Sequence, residues 1–315
     1  MHTFFYFTLF ILTVLAPSLC AQDLNLYTVG LYENDAHKQV AFTSLSESYA
    51  LSEHPDSLAV PSLEGMTEQE AQYILLDSIY RNRFLTTLNL SETDTVFIYD
   101  YAGGILKSFP IKTLNLVAVI NIYEPEWPYK QEEFKIGFEI DAALLSDHDP
   151  YFLSCFAAVG KENPFEVGKL ESITWMKTDR SNFPSIPIDI ENAEILFGNN
   201  FFEGDVYMGE SNDLQYFIQE YADQEHVAGR HLIVINAKTS GVLCYRLFFE
   251  DEGSSLTELN SLASFPAVTN QWTGKLLKNK PLVVFGFKYV SFGCESIIFL
   301  QPTENDLYLK CDNRH

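Results

Sequence analysis

Few residues of this chain stand at spacings that chemistry requires. His226 and His231 lie five positions apart with Glu225 beside the first, a spacing that does not bring both rings to one helical face. Asp147-His148-Asp149 offers hard and imidazole ligands together, but Pro150 follows and the cluster reads as a solvated turn. Glu203, Asp205, Glu210, Asn212 and Asp213, with Gly204 and Gly209 among them, form an oxygen-rich stretch of the kind calcium takes. Their spacing does not match an EF-hand. There is no G-x-S-x-G elbow, Walker loop, G-x-G-x-x-G or H-E-x-x-H. Glycoside hydrolysis needs two carboxyls at a set separation in space, and 43 acidic residues offer too many pairs to single one out. The reading is therefore no catalytic residue, no metal and no cofactor. Trp127, Tyr129 and Tyr123, around Pro125 and Pro128, suit a carbohydrate platform, a protein contact or the packing of a sheet edge.

The elements that must position these residues are mainly strands, so the expected class is α+β, mainly β, with mixed or antiparallel sheets and few helices. Thr67 and Glu70 form a capping box, and Tyr73, Leu76, Tyr80 and Phe84 share a face, which predicts a helix over 68–88. Strands are expected at Thr95 to Tyr101 and Ile105 to Ile111 across Gly103-Gly104, then at Leu114 to Tyr123, Phe134 to Ile140, Phe152 to Val159 and Ser172 to Met176. Asn182 to Ile190, with Pro184 and Pro187, reads as a linker. Beyond it, Leu214, Phe217, Ile218 and Tyr221 have helical spacing behind Ser211 and Asn212 as caps. Leu232 to Asn236 and Val242 to Phe249 form a hairpin, Leu256, Leu259 and Leu262 a short helix, and Leu282 to Val290 a strand. Two regions result, 22–195 and 196–315, the second a helix–hairpin–helix–strand unit.

Phe4 to Ala16 is an apolar run followed by small residues, which predicts a signal peptide over 1–21 and a mature chain beginning at Gln22. An uncleaved anchor, or a lipoprotein acylated at Cys20, fits less well because Leu19 is bulky and the run is short. An exported chain allows disulfides. Cys294 and Cys311 flank adjacent strand-like segments and are the favoured pair, against buried free thiols. The formal charge of −23 repels nucleic-acid phosphates and anionic lipid; it suits a basic partner or simply a soluble surface.

The stretch Trp272-Thr273-Gly274-Lys275, running through Lys280-Pro281 into Leu282-Val283-Val284, resembles the C-terminal domain of the TonB energy transducers over about 210–290. Gly241 stands where that family has its hairpin glycine. Thr273 replaces the family's proline, and its Pro- and Lys-rich linker is absent. The resemblance implies an exposed sheet edge that binds a partner by strand addition, which places Leu282, Val284, Gly286 and Lys288 at the binding edge. The functional expectation is a non-enzymatic binding module of the cell envelope, in the periplasm or outside the cell, recognising an envelope protein or peptide. An exported hydrolase with paired carboxylates, or an acidic inhibitor or immunity-type protein, are the alternatives.

Overall fold

The segment Val96-Phe97-Ile98-Tyr99 has no polar residue in it, and Cys155 to Val159 reads the same way. A strand with one wet face alternates; an unbroken apolar run needs cover on both faces. In the computed structural model, which describes residues 24–34, 37–49, 58–121, 123, 126–185, 202–222, 226–262 and 269–314, both runs have that cover. The expected leader over 1–21 and most of the expected linker lie outside the described residues.

Four sheets stack face to face, and every strand pairing within them is antiparallel. The first layer orders Gly30–Glu33, Gln39–Ser44, Phe134–Asp141, Asn115–Ile120 and Tyr73–Leu75. The second holds Tyr27–Thr28, Cys155–Gly160, Thr95–Asp100 and Ile105–Pro110. The third comprises Leu170–Ser172, Trp272–Gly274, Val283–Phe285, Ser296–Phe299 and Leu307–Tyr308. The fourth is Met176–Thr178 followed by a meander of Phe202–Ser211, Leu214–Ala222, Val227–Asn236 and Val242–Phe249. A small ribbon, Ser254–Leu256 with Lys288–Val290, flanks them. The protein is α+β and mainly β, the longest helix among the described residues being Ser78–Thr87.

Alternation along single strands assigns the cores. Val96, Ile98, Cys155 and Ala157 face the first layer, where Phe134, Ile136 and Phe138 await them together with Phe84 of the helix. Phe97, Tyr99, Phe156 and Ala158 face the third layer and meet Trp272, Val283, Phe285, Ile297 and Phe299. From the other side of that layer, Val284, Ile298 and Leu300 pack on Tyr216, Ile218, Leu232 and Val234 of the fourth. Burying one such side chain stabilises by roughly 1.5–3 kcal/mol, so the two inner layers contribute through every residue.

Two of the buried polar sites are well paired. Gln271, fully buried, accepts from the Trp175 indole at 3.2 Å and the Asn260 amide at 2.8 Å, and donates to Thr257 Oγ1 at 2.8 Å. Arg230 and Glu220 form a buried ion pair at 3.1 Å. The chain end is a strap over the first two layers: Lys310 N donates to Leu26 O at 2.7 Å, Asn121 Nδ2 to Arg314 O at 2.9 Å, and Arg314 Nη2 to Phe134 O at 3.0 Å.

The structure corrects five element assignments. One is Ser172 to Met176, which is not a strand but the link from Leu170–Ser172 in the third layer to Met176–Thr178 in the fourth. The 68–88 helix is two helices, Glu68–Ala71 and Ser78–Thr87, separated by the strand Tyr73–Leu75. The capping box forms, but Tyr73 to Leu75 pair with Val117 to Val119, and Asp77 caps a fresh start through Ile79 N at 2.8 Å. An available ladder outweighs helical spacing here. Leu214–Ala222 is a strand bonded on both sides. Ser211 and Asn212 are not helix caps: Ser211 pairs with Leu214, and Asn212 and Asp213, at φ 50° and 62°, make the two-residue turn of a hairpin. The expected helix over Leu256 to Leu262 is a short strand and a turn, so the helix–hairpin–helix–strand unit is not formed.

The last correction concerns Leu282 to Val290. Val283–Phe285 lies inside its sheet, bonded to Trp272–Gly274 on one side and Ser296–Phe299 on the other. Gly286 then breaks the run at φ +87°, and a Cβ there would lie 1.9 Å from Asn270 O. Gly286→Ala should therefore destabilise the protein by more than about 2 kcal/mol, whereas Gly241→Ala, in an exposed hairpin loop, should stay within about 0.5 kcal/mol. Urea unfolding of both variants measures this; equal, small losses would mean the break at Gly286 is not required.

Candidate functional site

Where the strap passes the edges of the first two layers and the flanking ribbon, the layers leave a cleft of about 470 Å³. Its floor is aromatic. Tyr101 packs against Phe156 at 4.8 Å, and edge-on against Trp272 and Phe285 at 5.3 Å each. Its rim is apolar yet wet: Leu153 is 80 % exposed, Tyr289 61 % and Tyr123 50 %. Scattered exposed apolar residues need no explanation; here three border one concavity with an aromatic floor.

Charge is sparse on the walls. Glu295 stands half-buried between this cleft and a smaller one lined by Phe248 and Phe287. Desolvation holds its carboxyl above the usual carboxylate range. Lys135, from the strand Phe134–Asp141, lies on the opposite side, its ammonium pulled below the usual lysine range by desolvation, with Asp312 acting against the shift. Burial pushes up the Tyr101 hydroxyl and the thiol of Cys155, a free cysteine in the lining. Cys294 and Cys311 are joined as a disulfide, Cα–Cα 5.6 Å, and form part of the wall.

The other nearby carboxylates are occupied by the backbone. Asp100 accepts from Ser154 Oγ at 2.8 Å and from Asp149 N at 2.9 Å, and Asp149 accepts from Tyr151 N at 2.8 Å. Among the described residues Glu295 is the one carboxylic residue in the lining.

The residues singled out from sequence are dispersed. Of the edge-strand candidates, Val284 is fully buried, Leu282 is partly buried, and Lys288 is engaged by Asp251 at 3.2 Å and by the Phe249 ring at 4.9 Å. Trp272 is core, and Gly274 lets Lys169 O approach where a Cβ would lie 2.2 Å away. Lys275 donates to Lys280 O, Lys280 pairs with Glu304 at 2.8 Å, and Pro281 leads into the central strand. Gly241 sits in its loop, but the positive φ belongs to Ser240.

The metal candidates do not converge. Asp205 pairs with Lys177 at 2.6 Å, Asp213 with Lys238 at 2.5 Å and Glu203 with Arg180 at 3.5 Å. Asp147, pulled down to about 2 by its hydrogen bonds from Lys107 and His148, is likewise engaged. Trp127 stacks edge-on with Tyr129, which is itself buried, and of the aromatic trio Tyr123 alone borders the cleft.

Neither family models, nor curated proteins, nor solved structures match this chain. No helix among the described residues is long and apolar enough to cross a membrane.

His226 and His231 part company: the first is exposed, 3.7 Å from Glu250, and the second is fully buried in the fourth layer. His231 lies opposite Gln219 and Leu247, its ring beside Phe183 and Tyr245, with no hydrogen-bond partner for either nitrogen among the described residues. Desolvation lowers its pKa to about 4. Because the folded value lies below the unfolded one of about 6.5, the stability from keeping this ring neutral is complete above pH ~6.5. It is lost as pH falls toward 4, by on the order of 2–3 kcal/mol. Urea midpoints across that range should fall more for the wild type than for His231→Phe; parallel curves would mean His231 is not the group responsible.

Proposed function

We propose that this is an exported binding module whose junction cleft takes a peptide segment of a partner protein, one carrying an aliphatic or aromatic anchor beside a Lys or Arg. The carrying observation is the convergence of exposed Leu153, Tyr289 and Tyr123 around an aromatic floor with Glu295 in its wall. An anchor side chain entering the floor removes apolar surface on both partners from water. A cation beside Glu295 relieves a carboxylate that burial now penalises, and gains cation–π contact with a rim tyrosine. The formal charge of −23 draws a basic segment in. Export is supported by the apolar leader and by the Cys294–Cys311 disulfide, a bond that persists in oxidising compartments.

Strand addition has no free edge at Val283–Phe285, which has a neighbour on each side. Side-chain capture in a cleft replaces it.

The test uses fluorescein-labelled peptides with Lys-Phe and Arg-Leu cores, and an Asp-Phe control, followed by fluorescence polarisation. The basic peptides should bind, the acidic control should not, and Tyr289→Ala and Glu295→Gln should each weaken binding about tenfold or more. Affinity should also fall as pH drops below the raised pKa of Glu295, because the neutral acid no longer attracts the cation. No binding, or binding unchanged in both variants, would overturn the assignment.

A further inference from the structure

Glu47 lies against the disulfide: its Oε1 is 3.7 Å from Cys294 Sγ, and the ligand atoms of Glu47, Cys294 and Cys311 all lie within 4.8 Å of one another. All three residues are half-buried, and both cysteines border the cleft. Two thiolates and a carboxylate are donors for a borderline-soft divalent ion. Tetrahedral ligands at about 2.3 Å for sulfur and about 2.0–2.2 Å for oxygen lie about 3.5–3.7 Å apart. The Glu47–Cys294 separation already has that value. The two sulfurs are too close because they are bonded, and Cys311 Sγ lies within 4.8 Å of the Glu47 carboxylate.

What surrounds the sulfurs is held by bonds that do not pass through them. Thr28 N donates to Lys310 O at 3.1 Å, Asn313 Nδ2 to Ser291 O at 2.7 Å, and Arg314 Nη2 to Phe134 O at 3.0 Å. Asp312 N donates to Glu47 Oε1, and Asp312 accepts from Ser44 Oγ. Lys310 Nζ sits 3.6 Å from Glu47 Oε2, on the oxygen that does not face Cys294. Opening the disulfide therefore leaves the strap in place and both thiols within reach of Glu47.

We propose that reduction of Cys294–Cys311 converts this corner into a binding site for a thiophilic divalent cation such as zinc, held by the two thiolates and Glu47, with the fourth position open to the cleft. The chemistry balances with a dithiol donor. Its thiolate attacks one sulfur, its second thiol displaces the mixed disulfide, and two electrons pass from donor to protein. Cys294 and Cys311 emerge as thiols and the donor as a disulfide. The metal then takes both as thiolates, releasing two protons to water. Disulfide and metal exclude each other, so the oxidised protein binds none.

The test is zinc competition against a chromophoric chelator, using the mature chain from Gln22, reduced with a phosphine and desalted without oxygen. Cobalt is used in parallel for its thiolate charge-transfer band. Reduced wild type should take one zinc per chain at this site, and oxidised wild type none. Glu47→Gln, which keeps both cysteines, should bind at least tenfold more weakly. A Cys294→Ser, Cys311→Ser double variant should not bind at all. Cys155 and Cys244, free and buried, are present in every form, so they cannot produce these differences. Absence of binding by reduced wild type, or equal binding by Glu47→Gln and wild type, would overturn the site. Should the double variant fail to fold, Glu47→Gln decides the question alone.

Discussion

The strands Thr95–Asp100, Cys155–Gly160, Val283–Phe285 and Ser296–Phe299 leave their apolar side chains no wet face, and the rest of the molecule is arranged to keep them so. Each outer layer covers one side of an inner layer, and the inner layers cover each other through Phe97, Tyr99, Phe156, Phe285 and Phe299. A sheet that must be dry on both sides cannot stand alone. The first two layers would expose the Phe97 and Phe156 face without the third, and the third would expose Val284 and Ile298 without the fourth. Leu170–Ser172 and Met176–Thr178 pair with strands beyond residue 201, upstream of the boundary expected near 195. The layers are thus stitched across that boundary by backbone as well as by packing.

The cleft follows from the same constraint. Stacked layers meet well at their centres and poorly at their edges, and the strap, ribbon and layer edges converge at one such margin. Tyr101 is the last aromatic of the inner stack, and Leu153, Tyr289 and Tyr123 continue the apolar surface outward into water. Glu295 sits among them because Ser296–Phe299 enters its sheet directly after it. The strap closes the opposite wall, and its disulfide lies where that wall meets Glu47.

Strands were legible wherever the apolar run was continuous or its turn was rich in glycine: Thr95–Asp100, Ile105–Pro110, Phe134–Asp141 and Cys155–Gly160 all stand close to their expected places. Helical spacing misled at Leu214–Ala222, because a strand buried on both faces can place apolar residues at any interval, helical ones included. The deciding signal was Asn212-Asp213, a pair whose tolerance of positive φ suits a tight hairpin better than a cap. The break at Gly286 was readable only as a single glycine in a run of β-formers. The site was not legible. Tyr101, Lys135, Leu153, Tyr289 and Glu295 come from five separate stretches and are joined by packing alone, so no local spacing announces them.

Interdependence of the layers is the central claim, and peptide-resolved hydrogen exchange along a urea series measures it most directly. Amides in 95–100, 155–160, 283–285 and 296–299 should share one opening free energy, equal to that of global unfolding, with the inner strands of the fourth layer, 214–222 and 227–236, opening in the same step. Protection surviving in 95–100 and 155–160 after 283–285 and 296–299 have fully exchanged would contradict the account, since it would mean the second layer keeps its fold with its Phe97 and Phe156 face uncovered.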